Sequence, residues 1–225
     1  EDKRRLALGE PLAYVIVWQP FLGLKIFLDS HPLVPRPETE WWVEQCAACS
    51  VQRAENTGRD PLQFLDLCAG SGAIGCAALA RLPSAHVSFG ELDPAHEATI
   101  RKNIRENGLD ESRADVRIGD LFAPFGDRRF DVIAANPPYI PEERVLDKSV
   151  TDFEPRAALF AGSDGLALIR RIAAELPRRL NPGGIAYIEC DSAHAEEARA
   201  LFERAGLSAT VIPDQYGTPR VVVVR

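Results

Sequence analysis

The stretch "LQFLDLCAGSGAIG", Leu62 to Gly75, decides the fold. Its apolar run Leu62–Leu67 reads as a short buried strand. That strand passes directly into a glycine-rich turn, and "AIGCAALARL" (Ala73–Leu82) follows as a run of strong helix formers. Working outward, the alternation repeats. "HVSFGEL" (His86–Leu92) is a second strand, and "PAHEATIRKNIRENG" (Pro94–Gly108) is a helix with proline in its first turn and glycine as its stop. "ADVRIGD" (Ala114–Asp120) and "RFDVIAA" (Arg129–Ala135) are strands three and four, the latter apolar enough to be buried on both faces. A long loop, about Asn136 to Gly162, precedes a helix over Asp164–Leu180 with Asp164 as its N-cap. "GGIAYIEC" (Gly183–Cys190) is the fifth strand, "AHAEEARALFERAG" a helix closed by Gly206, and "SATVIP" and "PRVVVVR" are the last two strands. With no helix between them, those two pair as a hairpin. Strand–helix alternation of this kind implies an α/β, doubly wound sheet of seven strands with helices on both faces, parallel except for one antiparallel strand.

Ahead of this unit, "LAYVIVWQPFLGLKIFLD" (Leu12–Asp29) reads as a β-hairpin or a pair of short strands. In "HPLVPRPETEWW" the prolines forbid helix before Pro37, and Pro37–Glu38–Thr39–Glu40 suits a helix start. That helix is expected to reach about Gln52, with "RAENTGRD" as a linker. Two segments follow: residues 1–34 with the hairpin, and residues 35–225 as the catalytic unit.

The chain has 225 residues and a net charge of −7, so a sequence-independent grip on DNA, which needs clustered Lys and Arg, is not expected. No apolar run is long enough for a membrane span, which needs about 18 residues or more. Five cysteines, an odd number, suit reduced thiols in a cytoplasm. Cys46 and Cys49 form a C-x-x-C without a second pair, and the four histidines share no ligand spacing, so no metal is expected. The absence of methionine, the initiator included, suggests a fragment of a longer protein.

The glycine turn matches G-x-G-x-x-G at Gly70, Gly72 and Gly75, a pattern that by itself is weak. Asp66, just ahead of it, would repel pyrophosphate and attract a cation such as the amino group of a methionine moiety. Glu91 lies about twenty residues past Gly70, where a carboxylate meets ribose hydroxyls, with Asp93 as competitor. Asp120, after the third strand, is placed to meet an adenine edge. Together with Ala69, Ser71, Leu92 and Leu121 beside them, these residues read as an S-adenosylmethionine site, with S-adenosylhomocysteine as product.

"NPPY", Asn136–Tyr139, leaves the fourth strand at the end of the sheet where such ligands sit. An amide or exocyclic amine nitrogen is a poor nucleophile, because its lone pair is delocalised. Fixed acceptors on its N–H groups would turn that lone pair toward a methyl donor. Asn136 offers a side-chain oxygen, Pro137 a backbone carbonyl in a rigid frame, and Tyr139 a flat face; Pro138 stiffens the turn. The motif alone leaves amide and adenine open.

The segments "GEPLAYV", "PLVPRPETE", "DLCAGSGAIG", "ANPPYIP", "FEPRAALFAGSDGL" and "NPGGIAYIE", with the Asp214–Arg220 element, run in order along nearly the whole chain. In them the sequence resembles the PrmC/HemK family, the protein-(glutamine-N5) methyltransferases of peptide chain release factors. The resemblance implies a Rossmann-like methyltransferase fold, and the glutamine of the release factors' Gly-Gly-Gln loop as substrate. It implies that Asn136 and Pro137 hold the glutamine amide and that Tyr139 packs on it, with Asn136 also beside the cofactor. Pro35, Arg36, Pro37 and Glu38 would form part of the wall, and Glu154 and Pro155 would order the long loop. It also implies a cytoplasmic monomer. The family's N-terminal helical docking domain is almost absent ahead of Gly9. After the fifth strand, "ECDSAHAEE" carries Asp191 and His194 where the family has glycine and glutamine. Glutamine methylation of a ribosomal protein and N6-adenine methylation of nucleic acid are the rival activities. A dehydrogenase or a non-catalytic scaffold fits the glycine turn and the intact Asn136 less well.

Overall fold

The computed structural model describes residues 1–58 and 60–225, and of residues 53–57 only the backbone. Two short helices come first, α1 (Asp2–Ala7) and α2 (Leu12–Ile16), then the hairpin strands β1 (Trp18–Phe21) and β2 (Leu24–Phe27), which pair antiparallel. The expected hairpin over Leu12–Asp29 is therefore corrected at its start. An apolar run satisfies either period, and here burial of Ala13, Tyr14 and Val15 settles it as helix. Tyr14 Oη donates to the carbonyl of Pro32 at 2.7 Å, and Val17, at φ 65°, turns the chain into β1.

Helix α3 (Pro37–Thr57) begins at the expected proline and runs beyond Gln52; of the supposed linker, Arg59 lies outside the described residues. The sheet then assembles from β3 (Gln63–Leu67), α4 (Ala73–Arg81), β4 (His86–Glu91), α5 (Glu97–Glu106), β5 (Ala114–Ile118), β6 (Phe130–Ala135), α6 (Lys148–Thr151), α7 (Ala167–Arg179), β7 (Leu180–Glu189), α8 (Ala195–Arg204), β8 (Ala209–Pro213) and β9 (Pro219–Val224). Its order is β5-β4-β3-β6-β7-β9-β8, with β9 antiparallel to both neighbours. Successive residues of β3 and β6 face opposite ways. Phe64, Val132 and Ala134 join a core with Trp42, Leu79 and Ile100. Leu65, Leu67, Ile133 and Ala135 join another with Ile169, Leu176 and Phe202.

Further boundaries differ from the sequence reading, among them the start of α5, where Pro94–His96 form a 3-10 turn and the α-helix begins at Glu97. Helix α7 starts at Ala167, with Leu166 as its N-cap; Asp164 instead accepts from the Leu166 N–H at 3.1 Å. Gly165 sits at φ 72°, outside the right-handed helical region, so the helix cannot include it; a side chain there would also meet the carbonyl of Tyr139 at 2.3 Å. Strand β7 begins at Leu180, ahead of Gly183. The long loop also has structure of its own: α6, and a bridge in which the Ile140 N–H donates to Leu159 and the Ala161 N–H to Ile140, each at 2.9 Å.

The hairpin edge is closed by a helix instead of a strand. Asn103 on α5 and Asn107, the C-cap one turn further on, each bond both backbone groups of a β2 residue: Asn103 with Phe27 (2.7 and 3.0 Å), Asn107 with Lys25 (2.9 and 3.0 Å). Asn103, fully buried, also donates to the carbonyl of Ser71 in the glycine turn at 2.9 Å. It thus fastens the hairpin to that turn. Asn103→Ala orphans three backbone groups at about 1–3 kcal/mol per fully buried group. We expect a net loss of about 3 kcal/mol in urea unfolding, and a loss under about 1 kcal/mol would contradict this account.

Candidate active site

At the carboxyl ends of β3, β4 and β6 lies a cleft of about 1080 Å³, its open mouth included. The glycine turn, the β4 end, the β5–β6 connection and the N-P-P-Y loop line it, and Leu33 and Pro35 close it from the amino-terminal side. Of the expected cofactor residues, Ala69, Gly70, Ser71, Glu91, Leu92, Asp120, Leu121 and Asn136 all line this one cleft. Asp66 and Gly72 are not on its wall.

The three glycines differ in role. Gly70, at φ 55°, faces the cleft and has room around it, with the nearest atom to a built Cβ at 3.9 Å. Gly72, at φ 78°, precedes α4 and is crowded by Ile100 and Phe89. Gly75 lies inside α4, where a Cβ would stand 2.2 Å from the ring of Phe89. Gly70 lets a ligand approach the backbone, whereas Gly72 and Gly75 let the helix approach the sheet.

Glu91 is nearly buried, and its carboxylate accepts three backbone N–H bonds: from Gly70 at 2.7 Å, Leu92 at 2.8 Å and Asp93 at 2.9 Å. It holds the turn in shape while lining the cleft, and a carboxylate's four lone pairs leave capacity for a ribose hydroxyl. Asp93 accepts from the Ala95 N–H at 2.9 Å and lines the cleft beside it. Asp66 is wholly buried beneath the turn. One oxygen accepts from the Gly75 N–H at 2.8 Å, and Oδ1 has no partner among the described residues. Burial, foremost, holds its carboxyl well above the usual range. Asp120, on the rim, pairs with Arg171 at 2.6 Å. His96 also lines the cleft, with Nδ1 2.8 Å from Ser30 Oγ.

Among the described residues the wall carries Glu91, Asp93 and Asp120, the last paired with Arg171 outside it, and neither lysine nor arginine. That donor set suits a ligand bearing cationic and hydroxyl groups, as S-adenosylmethionine does. It does not suit a pyrophosphate.

In the N-P-P-Y loop, Asn136 and Pro138 line the cleft, and Pro137 is buried behind them. Asn136 Nδ2 donates to Thr39 Oγ1 at 3.3 Å. Tyr139 lies off the wall; its hydroxyl donates to Glu189 Oε1 at 3.0 Å, and burial raises its pKa well above the phenol range. Glu189 Oε2 accepts from Thr39 Oγ1 and Trp42 Nε1, both at 2.7 Å. Burial raises the Glu189 pKa as well. Arg36 forms an ion pair with buried Glu154, which also accepts from the Val34 N–H at 3.1 Å, so the long loop is stapled to the segment before α3. Pro35 and Pro155 line the cleft on either side of that staple. Glu38 makes no hydrogen bond or ion pair among the described residues. Asp191 pairs with Arg144 of the long loop.

Thr39, Trp42 and Glu189 were not among the sequence candidates. Thr39 and Glu189 lie far apart in the chain (|i−j|=150), and only the fold brings them together. The sequence signal was the acid ending an apolar strand, in "AYIEC".

The family described as Methyltransferase small domain matches residues 54–170. A release factor glutamine methyltransferase of Geobacter sulfurreducens is 38% identical over 221 residues, spanning 97% of this chain and 74% of that protein. One from Bordetella pertussis is 40% identical over 206 residues, 91% and 73% of the two chains. Among solved structures, a methyltransferase from Pyrococcus furiosus superposes with a TM-score of 0.60 at 17% identity, covering 99% of this chain and 95% of that one. A ribosomal protein L11 methylase from Lactobacillus delbrueckii gives 0.56 at 18%, covering 82% and 78%; at such identities the likeness is one of fold.

The clash at Gly75 carries a prediction about the helix–sheet contact. Gly75→Ala should lower the urea midpoint by the equivalent of about 1–3 kcal/mol, the usual cost of overpacking. Phe89→Leu in the same chain should recover part of the loss. Strictly additive losses would show that the ring is not the obstacle.

Proposed function

The chain belongs to the family of release factor glutamine methyltransferases, and on that ground we propose that it methylates the side-chain amide nitrogen of the glutamine in the Gly-Gly-Gln loop of peptide chain release factors. The observation that carries the reading is the placement of Asn136 and Pro138 on the wall of an acid-lined cleft with no Lys or Arg among its described lining residues. When bound, S-adenosylmethionine supplies the methyl group from a sulfonium, which keeps the bonding electron pair and becomes S-adenosylhomocysteine.

This chain's residues do the rest. Gly70 and Ser71 receive the cofactor against open backbone, Glu91 meets its ribose, Asp120 its adenine, and Leu92 and Leu121 flank the base. Asp66 acts from below by holding the first turn of α4 through Gly75. Asn136 Oδ1 and the Pro137 carbonyl accept the two N–H groups of the substrate amide. The nitrogen lone pair is thereby turned toward the methyl group, and partial negative charge sits where positive charge arrives. The surplus proton leaves the nitrogen to water once it is alkylated, so no charged base is required. Tyr139, held by Glu189, packs behind the amide, and the Arg36–Glu154 pair shapes the cleft mouth with Glu38 beside it.

Residues 35–225 act as the catalytic unit, roofed by residues 1–34, in a cytoplasmic monomer that meets release factors where they work. No helix among the described residues is long and apolar enough to cross a membrane.

The test is methyl transfer from labelled S-adenosylmethionine to purified release factor, intact or with its loop glutamine replaced. Label should reach only the intact protein. Equal labelling of both, or preferential labelling of a ribosomal protein or of DNA, would overturn the reading. Asn136→Ala should keep cofactor affinity within about threefold and lower kcat by about 100-fold or more, in the range seen when a preorganised polar group is removed.

A further inference from the structure

The side-chain amide of Asn136 is useful only one way round: Oδ1 must face the substrate, because the substrate offers N–H groups. Nothing in an asparagine's shape enforces that, since its oxygen and nitrogen ends are nearly isosteric. The surroundings of Asn136 do enforce it.

Glu189 ends β7, is 1% exposed, and receives three donors: Thr39 Oγ1 and Trp42 Nε1 on one oxygen, Tyr139 Oη on the other. A carboxylate is acceptor-only, and a hydroxyl has one proton. Thr39 commits that proton to Glu189 at 2.7 Å, so only lone pairs remain on Oγ1 toward Asn136 at 3.3 Å. A lone pair accepts from Nδ2 and repels Oδ1. The polarity therefore runs one way, from Asn136 Nδ2 to Thr39 to Glu189, and Oδ1 is left for the cleft. The same carboxylate, through its other oxygen, holds the tyrosine at the far end of the N-P-P-Y loop.

We propose that Thr39 and Glu189 are positioning residues for methyl transfer: they fix which end of the Asn136 amide meets the substrate, and Glu189 sets Tyr139 at the same time. The inference rests on the reading of Asn136 as the acceptor of the substrate amide. It goes beyond that reading by assigning the direction of the amide to a residue at the start of α3 and another at the end of β7. Glu189 is a carboxylate for a chemical reason. A neutral amide there would bring its own N–H groups to face Thr39, Trp42 or Tyr139, all of which are donors.

The decisive variants are Thr39→Val, which keeps the shape and removes the hydroxyl, and Thr39→Ser, which restores it. With release factor as substrate, Thr39→Val should lower kcat at least about tenfold, with KM and cofactor affinity within about twofold of wild type. Thr39→Ser should lie within about threefold of wild type. Normal kcat in Thr39→Val, or an equal fall in Thr39→Ser, would overturn the inference. A second measurement needs no substrate. The Asn136 side-chain amide protons, assigned by their loss in Asn136→Asp, should show one strongly shifted, slowly exchanging Nδ2 proton in wild type and Thr39→Ser, and none in Thr39→Val. Amide signals indifferent to residue 39 would overturn the proposal. Failure of the wild type to methylate a release factor would fall on the functional reading alone, and the amide signals would then decide the positioning role.

Discussion

The rest of the structure depends on one topological constraint. From β3 the chain builds outward through β4 to β5, then returns to place β6 on the other side of β3. With right-handed crossovers, the connections leave β3 and β6 in opposite directions and cannot fill the space between them. A crevice opens at the carboxyl ends of that central pair. The glycine turn and the N-P-P-Y loop are the continuations of β3 and β6, so they become its two walls without any further instruction. The buried, apolar strands matter here because they hold both walls rigid, in register from Phe64↔Val132 to Leu67↔Ala135.

A crevice between loops leaves many backbone N–H groups without strand or helix partners, and buried orphans are costly. The chain meets this with carboxylates. Asp66 takes the N–H of Gly75, Glu91 those of Gly70, Leu92 and Asp93, and Glu154 that of Val34; Glu189 takes side-chain donors from α3 and the loop. Glu91, Glu154 and Glu189 each reach a segment distant in sequence, and Asp66 closes the glycine turn onto α4, nine residues on. Acidic residues are suited to this because they bring no donor of their own. The cleft's negative lining is partly a by-product of how its loops are fastened, and a cationic ligand is the kind that such a lining admits.

The central repeat was legible because strands and helices there differ in length and composition. "QFLDL" is too short for a helix, and the run from Pro94 to Gly108 has a helical period, a proline in its first turn and a glycine stop. The N-terminal segment was not legible, because Leu12–Val17 is apolar throughout and periodicity cannot separate a buried helix from a strand. Asp164 was misplaced as a helix cap because its neighbour Gly165 takes a positive φ that breaks the helix there, in a crowded place beside the carbonyl of Tyr139 that no local window reveals. The cleft residues were found through glycines and acids at motif spacing. Glu189 and Thr39 escaped for the opposite reason: they lie inside recognised segments, "NPGGIAYIE" and "PLVPRPETE", without marking a site there, and their meaning lies in a hydrogen bond across the fold. The two bonding partners of Asn103 in the hairpin and the glycine turn were hidden in the same way.

The charges of the site also divide its labour. Acidic groups along the cofactor cleft favour a bound cation, and that favour is present before methyl transfer begins. An interaction equally strong in the ground state and the transition state improves binding without lowering the barrier. In the proposed function the carboxylates at Glu91 and Asp93, and Asp120 with its Arg171 partner, therefore serve affinity. Acceleration has to come from groups whose interaction grows as charge moves to the substrate nitrogen, and in the reaction proposed above those are the neutral acceptors at Asn136 and Pro137. A carboxylate directly on the amide would take its N–H more strongly, but it would also draw the cofactor's own charge and compete for its position. With Asn136 in its proposed role, a negative charge one relay away, at Glu189, keeps the groups that face the substrate neutral and still dictates their direction.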